Sequence, residues 1–339
     1  MKVIVTTSAN PLHYGHVSLY NEAVRIFGEN NVKIVIGRNK NKDINFDKIL
    51  YHITPYRVNC EIVDNITLAD YCKNNGVSYL VRGIRNAVDA EYELKLDFLN
   101  KEINSNIQTM FFPTKDMFSN ISSSSINELL KYNKYDVVKK YMNEDAMYRY
   151  VEGKPKYVVF FGKSCIGKTF FLENIAFKDN NIKVINVDNI FWDVFRECYG
   201  EGERLKIQSL SKNSVYEKNK QATMEELIDK YSTNEYWNTF FEYITNKFDR
   251  YNIKKFTRLD IKDSVYLLDF PAIGSYWRTI PVEARSKIYL ISLVNSDENR
   301  KKFMQNRHFE NKINDLDLKY KDPDFFDEKI NISTFCKLT

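Results

Sequence analysis

Two short stretches of this chain carry the residue types that chemistry on phosphate groups needs. The first is His13-Tyr14-Gly15-His16, which gathers two of the chain's 4 histidines into one quartet. It lies between an apolar run at residues 2–6 and a segment with helical periodicity, so it would occupy a helix N-terminus. The unpaired N–H groups there carry partial positive charge and the glycine lets backbone approach a ligand closely, so a phosphate could sit beside the imidazoles. A pair of histidines that only cap the helix is the structural alternative. The second stretch is Gly162-Lys163-Ser164-Cys165-Ile166-Gly167-Lys168-Thr169, which satisfies G-x-x-x-x-G-K-[ST] in full and follows an apolar run at residues 157–161. In that pattern the amides between Gly162 and Gly167 wrap a polyphosphate. Lys168 reaches the β- and γ-phosphates, and Thr169 supplies a hydroxyl to Mg²⁺.

Other candidates stand just past strand-like runs, where open α/β sheets bind ligands. Val81-Arg82-Gly83-Ile84-Arg85 offers two fork-shaped guanidiniums, and Asp89-Ala90-Glu91-Tyr92-Glu93 follows with carboxylates able to hold them or to accept ribose hydroxyls. Ordinary ion pairs on a surface helix would look the same. Ile121-Ser122-Ser123-Ser124-Ser125 precedes a helical pattern from Ile126, and its hydroxyls suit either capping or a phosphate. In the second half, Asp188 and Asp269 each end an apolar run. Asp188 is a candidate base for an acceptor hydroxyl, and Asp269 is a candidate for magnesium or acceptor binding. Arg300 and Arg307, seven residues apart in a helical segment, could bring cations to a transferring phosphoryl group from a lid.

The elements that must position these residues read as two α/β modules. In the first half, strand-like runs at 2–6, 32–36, 61–63, 79–81 and 110–112 alternate with helical segments after His16, Leu68, Asp89 and Ser124, which argues for a doubly wound parallel sheet. In the second, runs at 157–161, 183–187, 265–268 and 287–291 repeat the pattern, and residues 198–258 read as mostly helical. Glu152-Gly153-Lys154-Pro155 interrupts the helical pattern between them, placing a boundary near Gly153 and domains at 1–150 and 156–339. A chain of 339 residues suits two such cores.

Composition removes several classes. The net charge of +5 is small and the acidic and basic residues interleave, unlike the basic stripe of a dedicated nucleic-acid binder. No segment approaches the roughly 18 apolar residues of a membrane span, and the apolar run at the N-terminus is too short for a signal peptide, so the expectation is a cytoplasmic protein. The 5 cysteines are odd in number, widely spaced and lack C-x-x-C, which argues against a disulfide framework or a zinc site.

Taken together, the quartet with Thr7-Ser8-Ala9-Asn10-Pro11 before it, the Arg82 to Glu93 segment and the serine run resemble phosphopantetheine adenylyltransferase, a member of the H-x-G-H nucleotidyltransferases, over nearly all of residues 1–145. The resemblance implies transfer of AMP from ATP to 4′-phosphopantetheine, giving dephospho-coenzyme A and pyrophosphate. By position, His16 would stabilise the transition state and Ser8 would contact phosphate. Lys42, or Lys40 as its alternative, would neutralise charge. Arg85 would hold ATP phosphates together with His13, Gly15 and Arg82, and Glu93, Ser122, Ser123 and Ser124 would line the ATP side. Residues 156 to about 310 resemble, more loosely, dephospho-coenzyme A kinase, with Asp188 in its acidic position and Asp269-Phe270-Pro271 in its D-x-P position. The fusion has the order of a bifunctional coenzyme A synthase, using ATP and Mg²⁺. Bacterial adenylyltransferases of this family assemble as hexamers, which leaves a homo-oligomer open. A nicotinamide mononucleotide adenylyltransferase joined to a ribosylnicotinamide kinase has the same layout. A nucleotide-binding regulator with one decayed site is a reading from another class.

Overall fold

Strand alternation sets the first sheet. In β1 (Val3–Thr7), Val3 and Val5 point to one face and Ile4 to the other, as a period of two requires. β2 (Val32–Gly37), β3 (Cys60–Val63), β4 (Tyr79–Ile84) and β5 (Gln108–Pro113) join it in the order β3-β2-β1-β4-β5, every pair parallel. Val3, Val5, Ile34 and Ile36 pack with Tyr20 and Ala23 of α1 (Tyr14–Phe27) and with Ile49 and Ile53 of α2 (Phe46–Ile53). On the opposite face Ile4, Val35 and Leu80 pack with Ala69 and Cys72 of α3 (Leu68–Asn75). The remaining helices are α4 (Ala87–Ile103), α5 (Ser123–Lys131), α6 (Tyr135–Val138) and α7 (Glu144–Glu152). The strand order reverses between β1 and β4, so their C-terminal ends open the crevice in which such sheets bind ligands.

This computed structural model describes residues 1–37, 46–163, 166–173, 182–214, 227–251, 253, 263–305 and 326–332. They form two compact units, Met1–Gly153 and Lys154–Thr339. In the second, β6 (Tyr157–Phe161), β7 (Ile185–Asn186), β8 (Tyr266–Asp269), β9 (Ile288–Val294) and β10 (Glu328–Asn331) make another five-stranded parallel sheet, ordered β10-β9-β6-β8-β7. The fold is therefore α/β with two parallel sheets flanked by helices, as the alternating pattern predicts.

Two details differ from the sequence reading. Asp188 does not end a strand: β7 stops at Asn186, whose side chain accepts the Asp188 N–H at 3.0 Å and caps the helix that follows. A polar cap that is itself the last residue of a two-residue strand turns the chain before the apolar run is used up. β10 escaped notice because its four residues, Glu-Lys-Ile-Asn, hold a single apolar side chain. The aromatic content of the 198–258 region is explained by packing. Tyr236, Trp237, Phe240, Phe241 and Ile244 recur at helical spacing on the helix Asn234–Lys247 and fill the core of the second unit. No helix among the described residues is long and apolar enough to cross a membrane.

Candidate active site

The loop from β1 to α1 is held residue by residue. Ala9 sits at φ +44, fully buried, with its N–H on Thr7 Oγ1 at 3.0 Å. Asn127 Nδ2 donates to Asn10 O at 2.9 Å, and the Tyr150 hydroxyl donates to Asn10 Oδ1 at 2.6 Å. Ser123 Oγ donates to Pro11 O at 2.9 Å. The Leu12 N–H donates to Nε2 of His52 at 2.9 Å, while Leu12 O accepts from the Tyr56 hydroxyl at 3.1 Å. Side chains from α2, the turn Thr54–Tyr56 that follows it, α5 and α7 thus fix the three peptides that precede the histidine quartet.

His13 is the N-cap of α1. Its Nδ1 accepts the Gly15 N–H at 3.2 Å, and Nδ1 of His16 accepts the His13 N–H at 3.4 Å, a reciprocal capping box. The two rings lie 3.8 Å apart between centroids. An N–H can only donate, so both Nδ1 atoms are acceptors and each neutral ring carries its proton on Nε2. Burial, and then the charge of Arg85, lowers the His13 pKa to about 4. His16 is held well below the ordinary histidine value by burial first, and then by His13, Arg82, Arg85 and His52. At neutral pH the pair is therefore uncharged and acts as two ring N–H donors. Gly15 is required because a Cβ there would stand 2.9 Å from Cε1 of the folded-back His13 ring. Capping and ligand binding, which the sequence leaves as alternatives, coexist here: the Nδ1 atoms cap while both rings line a cavity.

That cavity measures about 1080 Å³ and lies over the ends of β1, β2, β4 and β5. It is large enough for a nucleotide with a second ligand beside it. Arg82 makes a paired ion bridge to the buried Glu93, with Nε on Oε2 at 2.7 Å, and its Nη1 donates to Thr6 O at 3.1 Å. Most of its hydrogens are thus engaged, and it offers the cavity a charge more than a fork. Arg85 is more open. It pairs with Asp89 through Nε at 2.6 Å and Nη2 at 3.0 Å, which holds the Asp89 carboxyl below its ordinary value. Ser122 caps α5 in a capping box with Ser125, Ser123 is buried on Pro11, and Ser124 is exposed at the mouth. All three serines and Ser8 line the cavity. Lys42 and Lys40 lie outside the described residues.

The family model described as cytidylyltransferase-like matches residues 4–129. Phosphopantetheine adenylyltransferase from Staphylococcus haemolyticus is 32% identical over 135 residues, covering 39% of this chain and 84% of that protein. Its counterpart from Streptococcus pneumoniae is 32% identical over 138 residues, covering 38% and 83%. Through its N-terminal unit, the chain belongs to the phosphopantetheine adenylyltransferase family. The structure of NadR protein in complex with NR overlaps 97% of this chain and 89% of that one at 12% identity, with a TM-score of 0.31.

In this adenylyltransferase-family unit, sequence reasoning missed Thr6, which receives Arg82, and the rim formed by residues 64–68, Thr114 and Lys115. Thr114 and Lys115 could have been flagged by their place just past β5. His52 had no such signal, being one histidine in an amphipathic helix.

The second unit holds the other set. Gly162 has φ +158, and a Cβ there would collide with the Leu293 carbonyl oxygen and the Ile166 side chain. Gly167, at φ +86, precedes the helix Lys168–Phe171. Asn295 Nδ2 donates to Ile166 O at 2.8 Å and holds the loop. Lys168 forms a short ion pair with Asp269, both side chains only 11% exposed. The Asp188 pKa is raised by desolvation of its carboxyl, then by Asp269, with Lys168 opposing. Lys168, Asp188 and Asp269 therefore meet at one place, and Thr169 stands in the first turn beside them. Arg300, on the helix Asp297–Gln305, is 4% exposed and is packed inside the unit, not displayed on an open lid. Arg307, Ser164 and Cys165 lie outside the described residues. No group of three His, Cys, Asp or Glu side chains among the described residues is placed to hold a bare metal ion. A hydroxyl with one or two carboxylates instead fits magnesium that arrives with nucleotide phosphates.

Proposed function

We propose that the first unit transfers AMP from ATP to 4′-phosphopantetheine and that the second phosphorylates the ribose 3′-hydroxyl of the dephospho-coenzyme A so formed. The observation that carries the first step is the pair of neutral Nε2–H donors of His13 and His16 at the head of α1, facing a cavity with Arg85 at its side. A phosphate oxygen of the acceptor attacks the α-phosphorus of ATP, the bond from that phosphorus to the β-phosphate oxygen breaks, and pyrophosphate leaves. No enzyme group bonds to phosphorus, so catalysis is positioning plus charge stabilisation. His16 donates to the α-phosphate oxygens as charge builds, and Arg85 with the α5 N-terminus holds the leaving pyrophosphate.

In the second unit the acceptor hydroxyl attacks the γ-phosphorus of a second ATP, its proton passes to Asp188, and ADP leaves. The raised pKa of Asp188 suits a base, and Lys168 exchanges Asp269 for the β- and γ-phosphates. Thr169 and Asp269 would hold Mg²⁺, which supplies charge neutralisation on the phosphates. As a cytosolic enzyme the protein would also form a homo-oligomer. That is supported by the outer face of α4, where Val88, Tyr92, Leu94, Phe98, Leu99 and Ile103 are 46–77% exposed.

Mass spectrometry of products from the full chain with ATP, Mg²⁺ and 4′-phosphopantetheine tests the reading. Coenzyme A is expected. Accumulation of dephospho-coenzyme A would leave the first step standing and overturn the second, and ribosylnicotinamide would then be supplied as acceptor. No pyrophosphate release would sink the first.

A further inference from the structure

We infer that His52, a residue outside every motif of the sequence, is a positioning residue for the His13–His16 pair, acting through the Leu12 peptide. The inference rests on reading the cavity as the adenylyl-transfer site.

His52 lies on α2 and is fully buried. Its Nδ1 stands 3.2 Å from the carbonyl oxygen of Lys48, and its Nε2 accepts the Leu12 N–H at 2.9 Å. A carbonyl only accepts and an amide N–H only donates, so the ring is fixed as the neutral Nδ1–H tautomer, opposite to that of His13 and His16. The Tyr150 ring packs edge-to-face with it at 5.1 Å between centroids. Leu12 is itself fully buried, so without an acceptor its N–H would be an orphan donor away from water. The backbone would then have to move to find a partner, and the next residue is His13, whose ring and amide build the capping box. The ATP-side pair Arg85–Asp89 and the Ser122–Ser125 cap hang on other elements, while Ser123 keeps hold of the Pro11 carbonyl and Tyr56 of the Leu12 carbonyl. Loss of the His52 acceptor therefore displaces the ring donors while leaving the nucleotide's other contacts in place. Displacement of about 1 Å at a reacting centre costs on the order of 100-fold in rate.

The test compares the full-length protein with His52→Leu, His52→Gln and His52→Asn. The Gln amide oxygen reaches the position of Nε2 and can accept from Leu12, whereas Asn reaches only the Nδ1 position. In pyrophosphate release, His52→Leu and His52→Asn should lose about 100-fold in kcat with KM for ATP changed less than about 3-fold, and His52→Gln should recover most of the rate. Nitrogen NMR of the histidine rings should show, in His52→Leu, displaced His13 and His16 signals and, in wild type, His52 protonated on Nδ1. A His52→Leu protein with kcat within about 3-fold of wild type would overturn the inference. So would equal losses in the Gln and Asn variants, or unchanged His13 and His16 signals. If wild type releases no pyrophosphate, the substrate reading fails separately and the NMR arm alone decides the role of His52. A His52→Leu chain that fails to fold leaves the Gln against Asn comparison to decide.

Discussion

Acidification should weaken the first unit while the carboxylates are still charged, because three buried neutral histidines sit within 40 residues of one another. An unfolded chain titrates histidine near 6.5, whereas folded His13 stays neutral down to about 4 and folded His52 down to about 3, burial being the leading cause for both. Between those values the unfolded chain binds more protons than the folded one. The stabilisation is thus complete above the unfolded value and is lost as pH falls toward the folded values. From pH 7.5 to pH 5 the linkage amounts to about 2 kcal/mol for each of the two, about 4 kcal/mol together, and His16 shifts in the same direction. That is a large part of the 5–15 kcal/mol typical of a folded domain. The second unit lacks this liability among its described residues, and the raised pKa of Asp188 acts the other way, adding stability as pH falls. The assay is urea unfolding at both pH values. A thiol reagent that works in acid would report exposure of the buried Cys72 for the first unit. Fluorescence of Trp192, Trp237 and Trp277, all in the second unit, would report the other. The first-unit midpoint should drop and the tryptophan transition should hold, and His52→Gln should remove about 2 kcal/mol of the drop, the share of His52. A first-unit stability that changes by less than about 1 kcal/mol would refute the picture of neutral buried rings.

His16→Ala should abolish pyrophosphate release while leaving phosphorylation of supplied dephospho-coenzyme A, and Lys168→Ala should do the reverse, both read by product mass spectrometry. Gly15→Ala pushes a methyl against the His13 ring and should lower kcat by roughly 10- to 100-fold with little change in melting temperature, checked by steady-state kinetics. Arg82→Lys cannot reproduce the paired bridge to Glu93 or reach Thr6 as well. It should cost about 1–3 kcal/mol of stability in the first unit and raise KM for ATP, read by urea titration and initial rates.

Much of this molecule is written in local pattern. Alternating apolar runs fix the strands because a strand's side chains point to opposite faces every second residue, and the first sheet follows from five such runs. The quartet at residues 13–16 and the loop at 162–169 were legible because glycine, charge and helix start fall at fixed spacings. Burial and pairing across the chain were not. That Arg82 is tied to Glu93 and Thr6 while Arg85 stays more open depends on β1, β4 and α4 coming together, and two arginines three residues apart look alike in sequence. Asp188 moved from strand end to helix start because Asn186 caps it, a choice made by a hydrogen bond and not by hydropathy. His52 shows the limit most plainly. Its helix betrays an apolar face, but only the packing of α2 under the β1–α1 loop brings its ring to the Leu12 amide 40 residues away. Sequence determined which residues could do chemistry, because type and spacing are local. Tertiary structure decided which of them are free to do it, because hydrogen-bond partners and desolvation are set by neighbours distant along the chain.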